Sequence, residues 1–240
     1  MNRKLIFQQI YFDTQHFKGS RSIDFFNEAD DHSSSITTMT EEEAIQWLFG
    51  FSQFSSMFKE EFFETPQRVR SFYGLTAPFT AIGRKPGDID LLLVDDTSPN
   101  KAIAFECKRV KLTSTDKNTS KVNNAGAIKT GIKQVNGLQS IGFYKSYLMV
   151  ILLDDSRLRE YPNAMMRNSK GQSVEEIYDI PQNEPLHEDV GIVFVKVTQP
   201  TGKHFNDMAG IGFCVDKKAK ELEQSSSLTN KVNALLRDKD

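Results

Sequence analysis

The chain is poor in the residues that small stapled or metal-knuckle proteins depend on. Its 240 residues include two cysteines, Cys107 and Cys214, and four histidines, His16, His32, His187 and His204. Two thiols cannot make a disulfide framework. No CxxC, HxxxH or HxH spacing occurs, so the usual zinc sites are excluded. Such cysteine usage points to a reducing compartment, hence the cytoplasm. Long apolar runs are also missing. The longest, Leu148 to Leu153, falls far short of the roughly 20 residues a bilayer span needs. The stretch after Met1-Asn2-Arg3-Lys4 is broken by Gln8 and Gln9, so no secretory leader is expected. There is no excess of basic charge: 30 Lys and Arg stand against 32 Asp and Glu, a net charge of −2. That argues against holding nucleic acid by bulk charge but leaves room for a local basic groove. The GxxxxGK[ST], GxGxxG and GxSxG motifs do not occur, nor does an internal repeat or sustained heptad.

What is present is ordinary globular composition, 38% hydrophobic and 26% charged, with 18 Phe against one Trp and 6 Tyr. A chain of this length can bury a sizeable core as a single domain over residues 1–240. The pattern predicts an N-terminal strand over residues 5–12, then a polar arm to residue 38. Thr40 with Glu43 three residues on reads as a capping box. A helix follows with Ala44, Trp47, Leu48 and Phe51 on one face, and a second carries Phe54, Phe58 and Phe62. A short strand is expected over residues 78–82, then strands over 88–94 and 101–111 joined as an antiparallel hairpin. After a polar loop over 112–124, Ile128, Ile132, Val135 and Leu138 mark a helix stopped at Gly142. A buried strand spans 147–153. Residues 156–189 read as a polar excursion. Strands over 191–197 and 211–215 and a last helix capped by Asp216 complete the chain. The core lies at about 40–155, preceded by the strand and loop of 1–39 and followed by the decorations of 156–240.

The chemistry concentrates in Pro86-Gly87-Asp88-Ile89-Asp90-Leu91-Leu92-Leu93-Val94 and Ala104-Phe105-Glu106-Cys107-Lys108. Strand side chains alternate, so Glu106 and Lys108 share a face. If residues 96–100 form the hairpin loop, paired numbers sum to 196 and Asp90 stands across from Glu106. If the loop is 97–100, the sum is 197 and Asp90 pairs with Cys107 on the wrong face. Two converging carboxylates suit Mg²⁺, which favours oxygen ligands. A lysine beside them can stabilise charge building on a phosphodiester. The bland alternative is a solvated hairpin carrying a cross-strand ion pair.

An acid ahead of an aliphatic strand, then E-x-K on the next strand, then a helix and another buried strand, resembles the PD-(D/E)xK nuclease superfamily over about residues 40–155. The resemblance implies an α/β (α+β) restriction-endonuclease-like fold: a mixed central sheet flanked by helices with an αβββαβ core. It also implies Mg²⁺-dependent phosphodiester hydrolysis, with Mn²⁺ able to substitute, most readily by an endonuclease acting on DNA. Carried over, Asp90, Glu106 and the Cys107 carbonyl are the metal ligands, and Asp90, Glu106 and Lys108 are the catalytic set. Asp88 is the rival first acid, though Asp90 abuts the aliphatic run as the family pattern has it. Gln134 with Leu138 resembles a Q-x-x-x-Y element lacking its tyrosine. Members often add a glutamate from the first helix, for which Glu42, Glu43, Glu60, Glu61 and Glu64 compete. Many members are homodimers.

Charge supports a nucleic-acid partner. From Lys108 to Lys133, seven basic residues face one acid, Asp116, a local charge of +6. Arg109, Lys111, Lys129, Lys133 and Gln134 are the expected backbone contacts. The competing expectations are a catalytically inactive nucleic-acid-binding protein on the same fold, or an α+β interaction module without nuclease activity.

Overall fold

The computed structural model describes residues 10–13, 35–76, 78–80, 87–114, 120–155, 172–199 and 208–238. It is a mixed α/β protein with a mixed sheet between helices. The strands are β1 (Ile10–Asp13), β2 (Val69–Leu75), β3 (Ile89–Asp95), β4 (Ile103–Ser114), β5 (Ser120–Asn123), β6 (Lys145–Asp155), β7 (Gly191–Gln199) and β8 (Met208–Lys217). The helices are α1 (Glu41–Gly50), α2 (Ser52–Phe62), α3 (Ala127–Ile141), α4 (Gln172–Asn183) and α5 (Ser226–Arg237). The sheet order is β1-β8-β7-β6-β4-β3-β2, with β5 added beside β4. The β4–β6 and β6–β7 pairs are parallel and the rest antiparallel. Parallel neighbours need crossovers, which α3 and α4 supply. Crossovers that step in one direction put their helices on one face, and α3 and α4 share one buried cluster there. No described helix is long and apolar enough to cross a membrane.

The two faces are filled differently. One is covered by α1 and α2 through an aromatic cluster. Phe58 at its centre meets Phe49, Phe54, Phe62, Phe105 and Phe213 at ring distances of 5.0 to 5.6 Å. Each fully buried aromatic of this kind contributes about 1.5–3 kcal/mol by area alone. The other face packs α3 and α4 over β4, β6 and β7, and α5 over β2 and β3. The N-terminus of α1 has the expected capping box. Thr40 Oγ1 accepts from Glu43 N (3.2 Å), and Thr40 N donates to Glu43 Oε2 (2.7 Å).

Several expectations need correction. Residues 78–80 form a turn, not a strand, and 81–82 lie outside the described residues. The edge strand β2 went unread because only Val69 and Phe72 are buried, which gives no alternation. The 112–124 loop is shorter than expected, since β4 runs on to Ser114 and pairs with β5. Residues 172–183 of the polar excursion are helix α4, with Pro181 in its last turns. β7 is no ornament, since it pairs with β6 from Tyr147 to Asp155. The last helix starts after Ser225, not Asp216. Between them the backbone donors are taken by tertiary acceptors: Ala219 N by Tyr147 Oη, Lys220 N by Asp189 O, and Leu222 N by Tyr144 O. A helix cannot form where its N–H groups are already engaged. The N-terminal strand is described only at Ile10–Asp13, and the rest of its expected span lies outside the described residues.

Candidate active site

The site originates in a mismatch of strand lengths. β4 has twelve residues. Along one edge it pairs continuously with β6, from Ile103 to Thr113. Along the other edge β3 accompanies it only as far as Leu91↔Phe105, and β5 takes over from Lys111↔Asn123. Among the described residues, no strand lies beside the backbone between those points on that edge. Buried N–H groups need acceptors, and two carboxylates supply them. Cys107 N donates to Asp90 Oδ2 at 2.6 Å, and Arg109 N donates to Glu41 Oε2 at 2.9 Å.

The β3–β4 register sums to 196, the alternative that sets Asp90 across from Glu106. Strict alternation slips at this point. Ile89 packs on the α5 face while Leu91 packs beneath α1 and α2. Gly74, in the partner strand between the Tyr73↔Leu91 and Leu75↔Ile89 pairs, has φ +57°. The kink directs Asp90 toward the open edge of β4. A strand residue points its N–H and C=O to the same edge, so the Cys107 carbonyl faces that gap too. Asp88 is exposed and contributes only a like charge near Asp90.

Lys108 gathers the acids. Its Nζ lies 2.7 Å from Glu106 Oε1, 2.9 Å from Glu41 Oε1 and 3.9 Å from Asp90 Oδ2. Its stem runs under α3 at Gly131, where a Cβ would stand 2.5 Å from Lys108 Cγ and 3.0 Å from Leu148 Cδ1. Only glycine leaves that passage open. The side chains grade outward: Glu106 is 1% exposed, Lys108 10%, Asp90 20% and Glu41 32%. The site is therefore open to solvent on the Asp90 and Glu41 side and closed behind Glu106.

Three carboxylates around one ammonium carry one negative charge more than they can hold cheaply in a partly dry site. Burial, then the Asp90 charge, pushes the Glu106 carboxyl up to about 8 against the pull of Lys108. Burial likewise raises Asp90 to about 6, opposed by Lys108 and by the Cys107 N–H. Lys108 is disfavoured by burial, but Glu106, Asp90 and Glu41 outweigh that and hold it protonated well above the usual lysine range. Sites that drive carboxyl values apart in this way are typical of metal binding or acid–base work.

Glu41 was missed from sequence, where Glu42, Glu43, Glu60, Glu61 and Glu64 competed for the helix glutamate. A signal did exist. Glu43 is used by the capping box, and Glu42 Oε1 accepts from Gln46 at 3.0 Å. That leaves Glu41 as the acid of the first turn with no local partner in the helix.

The expected nucleic-acid contacts are spread around this edge. Arg109 is half-buried and Lys111 partly exposed. Burial and then the nearby Arg109 charge lower the Lys111 ammonium. Gln134 faces the start of β3, its Nε2 3.6 Å from where a Gly87 Cβ would sit. Lys133 is exposed, while Lys129 is paired with Glu184, just past the end of α4, at 2.5 Å. Lys117 and Asp116 lie outside the described residues.

The donor set suits a hard divalent cation in one respect and not in another. Glu106 Oε2 is buried with no hydrogen-bond partner among the described residues, an orphan acceptor of the kind a cation satisfies. Yet no three His, Cys, Asp or Glu side chains among the described residues converge as ligands of one ion. The Lys108 ammonium stands where the carboxylates meet. No family model matches the chain, and no curated protein or solved structure is significantly similar to it.

Proposed function

We propose that the protein is a divalent-cation-dependent nuclease with a restriction-endonuclease-like αβββαβ core, cleaving DNA internally in a restriction, repair or defence role. The observation that carries this reading is the meeting of Asp90, Glu106 and Lys108, joined by Glu41, where the β4 edge lacks a neighbouring strand among the described residues. The order α1-α2, β2, β3, β4, α3, β6, with the four-residue β5 inserted between β4 and α3, agrees with such a core. Asp90, Glu106 and the Cys107 carbonyl are the oxygen donors that would hold Mg²⁺ or Mn²⁺. When bound, the cation supplies Lewis acidity and lowers the cost of negative charge on the phosphate. Lys108 sets its ammonium against the scissile phosphate and the attacking water. Glu41 keeps that ammonium in place. Arg109, Lys111, Lys133 and Gln134 line the strand backbone, and Lys129 joins them by leaving Glu184. Two buried free thiols suit a reducing cytoplasm, and a homodimer is the assembly that would cut both strands.

The experiment is hydrolysis of plasmid and oligonucleotide substrates with Mg²⁺ or Mn²⁺ and with EDTA. Cleavage should need the cation and be lost in Glu106→Ala and Lys108→Ala. Wild-type rates in those variants would sink the proposal. One observation favours a second reading, an inactive binder on the same fold: the ammonium already satisfies the acids. That reading expects nucleic-acid retention at low salt and no Mn²⁺ affinity dependent on Glu106.

A further inference from the structure

We propose that the Lys108 ammonium and the divalent cation compete for the same carboxylate oxygens, which makes Lys108 an internal counterion limiting how tightly the free protein holds metal. The inference rests on the nuclease reading and concerns how that site is loaded. Lys108 Nζ is already within ion-pair distance of Glu106, Glu41 and Asp90. A cation sharing Glu106 and Asp90 would sit within a few ångströms of a like charge in a partly dry site, where repulsion is weakly screened. The ammonium has little room to withdraw, because its stem passes so close to Gly131 of α3 that a Cβ there would stand 2.5 Å from Lys108 Cγ. Its position is set by packing as well as by attraction. Glu106 Oε2, buried without a hydrogen-bond partner among the described residues, gives the cation a foothold without displacing the lysine from every partner. Weak loading in the absence of nucleic acid follows. A polynucleotide phosphate that draws the ammonium toward itself would relieve the competition.

The test is a Mn²⁺ titration of metal-free protein by electron paramagnetic resonance, without nucleic acid. Lys108→Met, which keeps the stem and removes the charge, should lower the apparent Kd by about tenfold or more while abolishing cleavage. Glu106→Gln in the same background should remove the gain. An unchanged or weaker affinity in a natively folded Lys108→Met protein overturns the competition and leaves the nuclease reading standing, provided the wild type binds Mn²⁺ and cleaves. If neither the wild type nor Lys108→Met binds Mn²⁺, the nuclease reading itself falls. Should Lys108→Met not fold, Gly131→Ala carries the test, since its Cβ crowds Lys108 Cγ and moves the ammonium off the acids. Its affinity should also rise, and no change there overturns the proposal.

Discussion

Replacing Glu106 by glutamine tests the electrostatics of the site through stability alone. The Glu106 carboxyl lies at about 8 in the folded protein, against an ordinary value of 4.5. A carboxyl raised on folding stabilises the protein while it is protonated. That contribution is complete below the unfolded value and is lost as pH rises through the folded one. Each pH unit between the two values is worth about 1.4 kcal/mol, so the metal-free protein should lose on the order of 5 kcal/mol between about pH 4.5 and 8. Asp90, raised to about 6 from 3.8, loses stability in the same direction over the lower part of that window. The two acids share one repulsion, so their losses do not add. Lys108 is charged in both states throughout and contributes no slope. Glu106→Gln removes the titration and keeps the shape. In EDTA above about pH 8, its Tm should exceed that of the wild type by roughly 10–20 °C, and its Tm should be nearly flat from about pH 6 upward. Mg²⁺ should raise the wild-type Tm most at the high-pH end and leave the variant little changed. Calorimetry across the window decides it. Parallel Tm curves for the two proteins would refute the argument that Glu106 is an excess buried charge.

Asp90→Ala should behave oppositely in stability. It removes the acceptor of Cys107 N and should cost about 1–3 kcal/mol in denaturant unfolding, alongside loss of cleavage. Glu41→Gln keeps an acceptor for Arg109 N but removes one charge from Lys108; cleavage should fall roughly 10- to 100-fold with Tm little changed. Thr40→Ala breaks the capping box and should cost about 1 kcal/mol, with a cleavage loss larger than the Tm shift implies because Glu41 is the first residue of α1. Away from the site, Asp154→Asn leaves Lys196 buried beside a neutral partner in place of the ion pair at 3.2 Å; urea unfolding should show a loss of about 3–5 kcal/mol, and a paired Asp154→Leu, Lys196→Met protein should recover most of it.

How much of this was legible in the sequence follows from how local each determinant is. The register that brings Asp90 toward Glu106 is local to the hairpin, while the slip in alternation at Ile89 that turns Asp90 to the open edge is not written in any spacing. The Thr40 box, the helix under Ile128 to Leu138 and the stop at Gly142 are equally local. The spacing within α1 accounts for Glu42 and Glu43, but that Glu41 reaches the site depends on where the start of α1 lands across the sheet. β2 was hidden because an edge strand half-buried on both faces has no period of two. The stretch after Asp216 looked helical, yet its backbone donors are claimed by Tyr144, Tyr147 and Asp189, contacts more than 25 residues away in sequence. α4 was masked by prolines that a helix tolerates near its end.

The unmatched edge of β4 explains why structure and chemistry coincide at this place. Had β3 continued beside β4, Cys107 N and Arg109 N would have met carbonyls, and no acid would be needed there. Because β3 departs after Phe105 and β5 arrives only at Lys111, two N–H groups call for acceptors that side chains must provide, and carboxylates accept most strongly. Asp90 and Glu41 are each tied to the backbone through one oxygen, Oδ2 and Oε2, and so are anchored whatever else binds. Glu106 has no such tie and lies deepest. It is the acid whose charge the fold does not need, and for that reason the one whose ionisation a bound cation would change most.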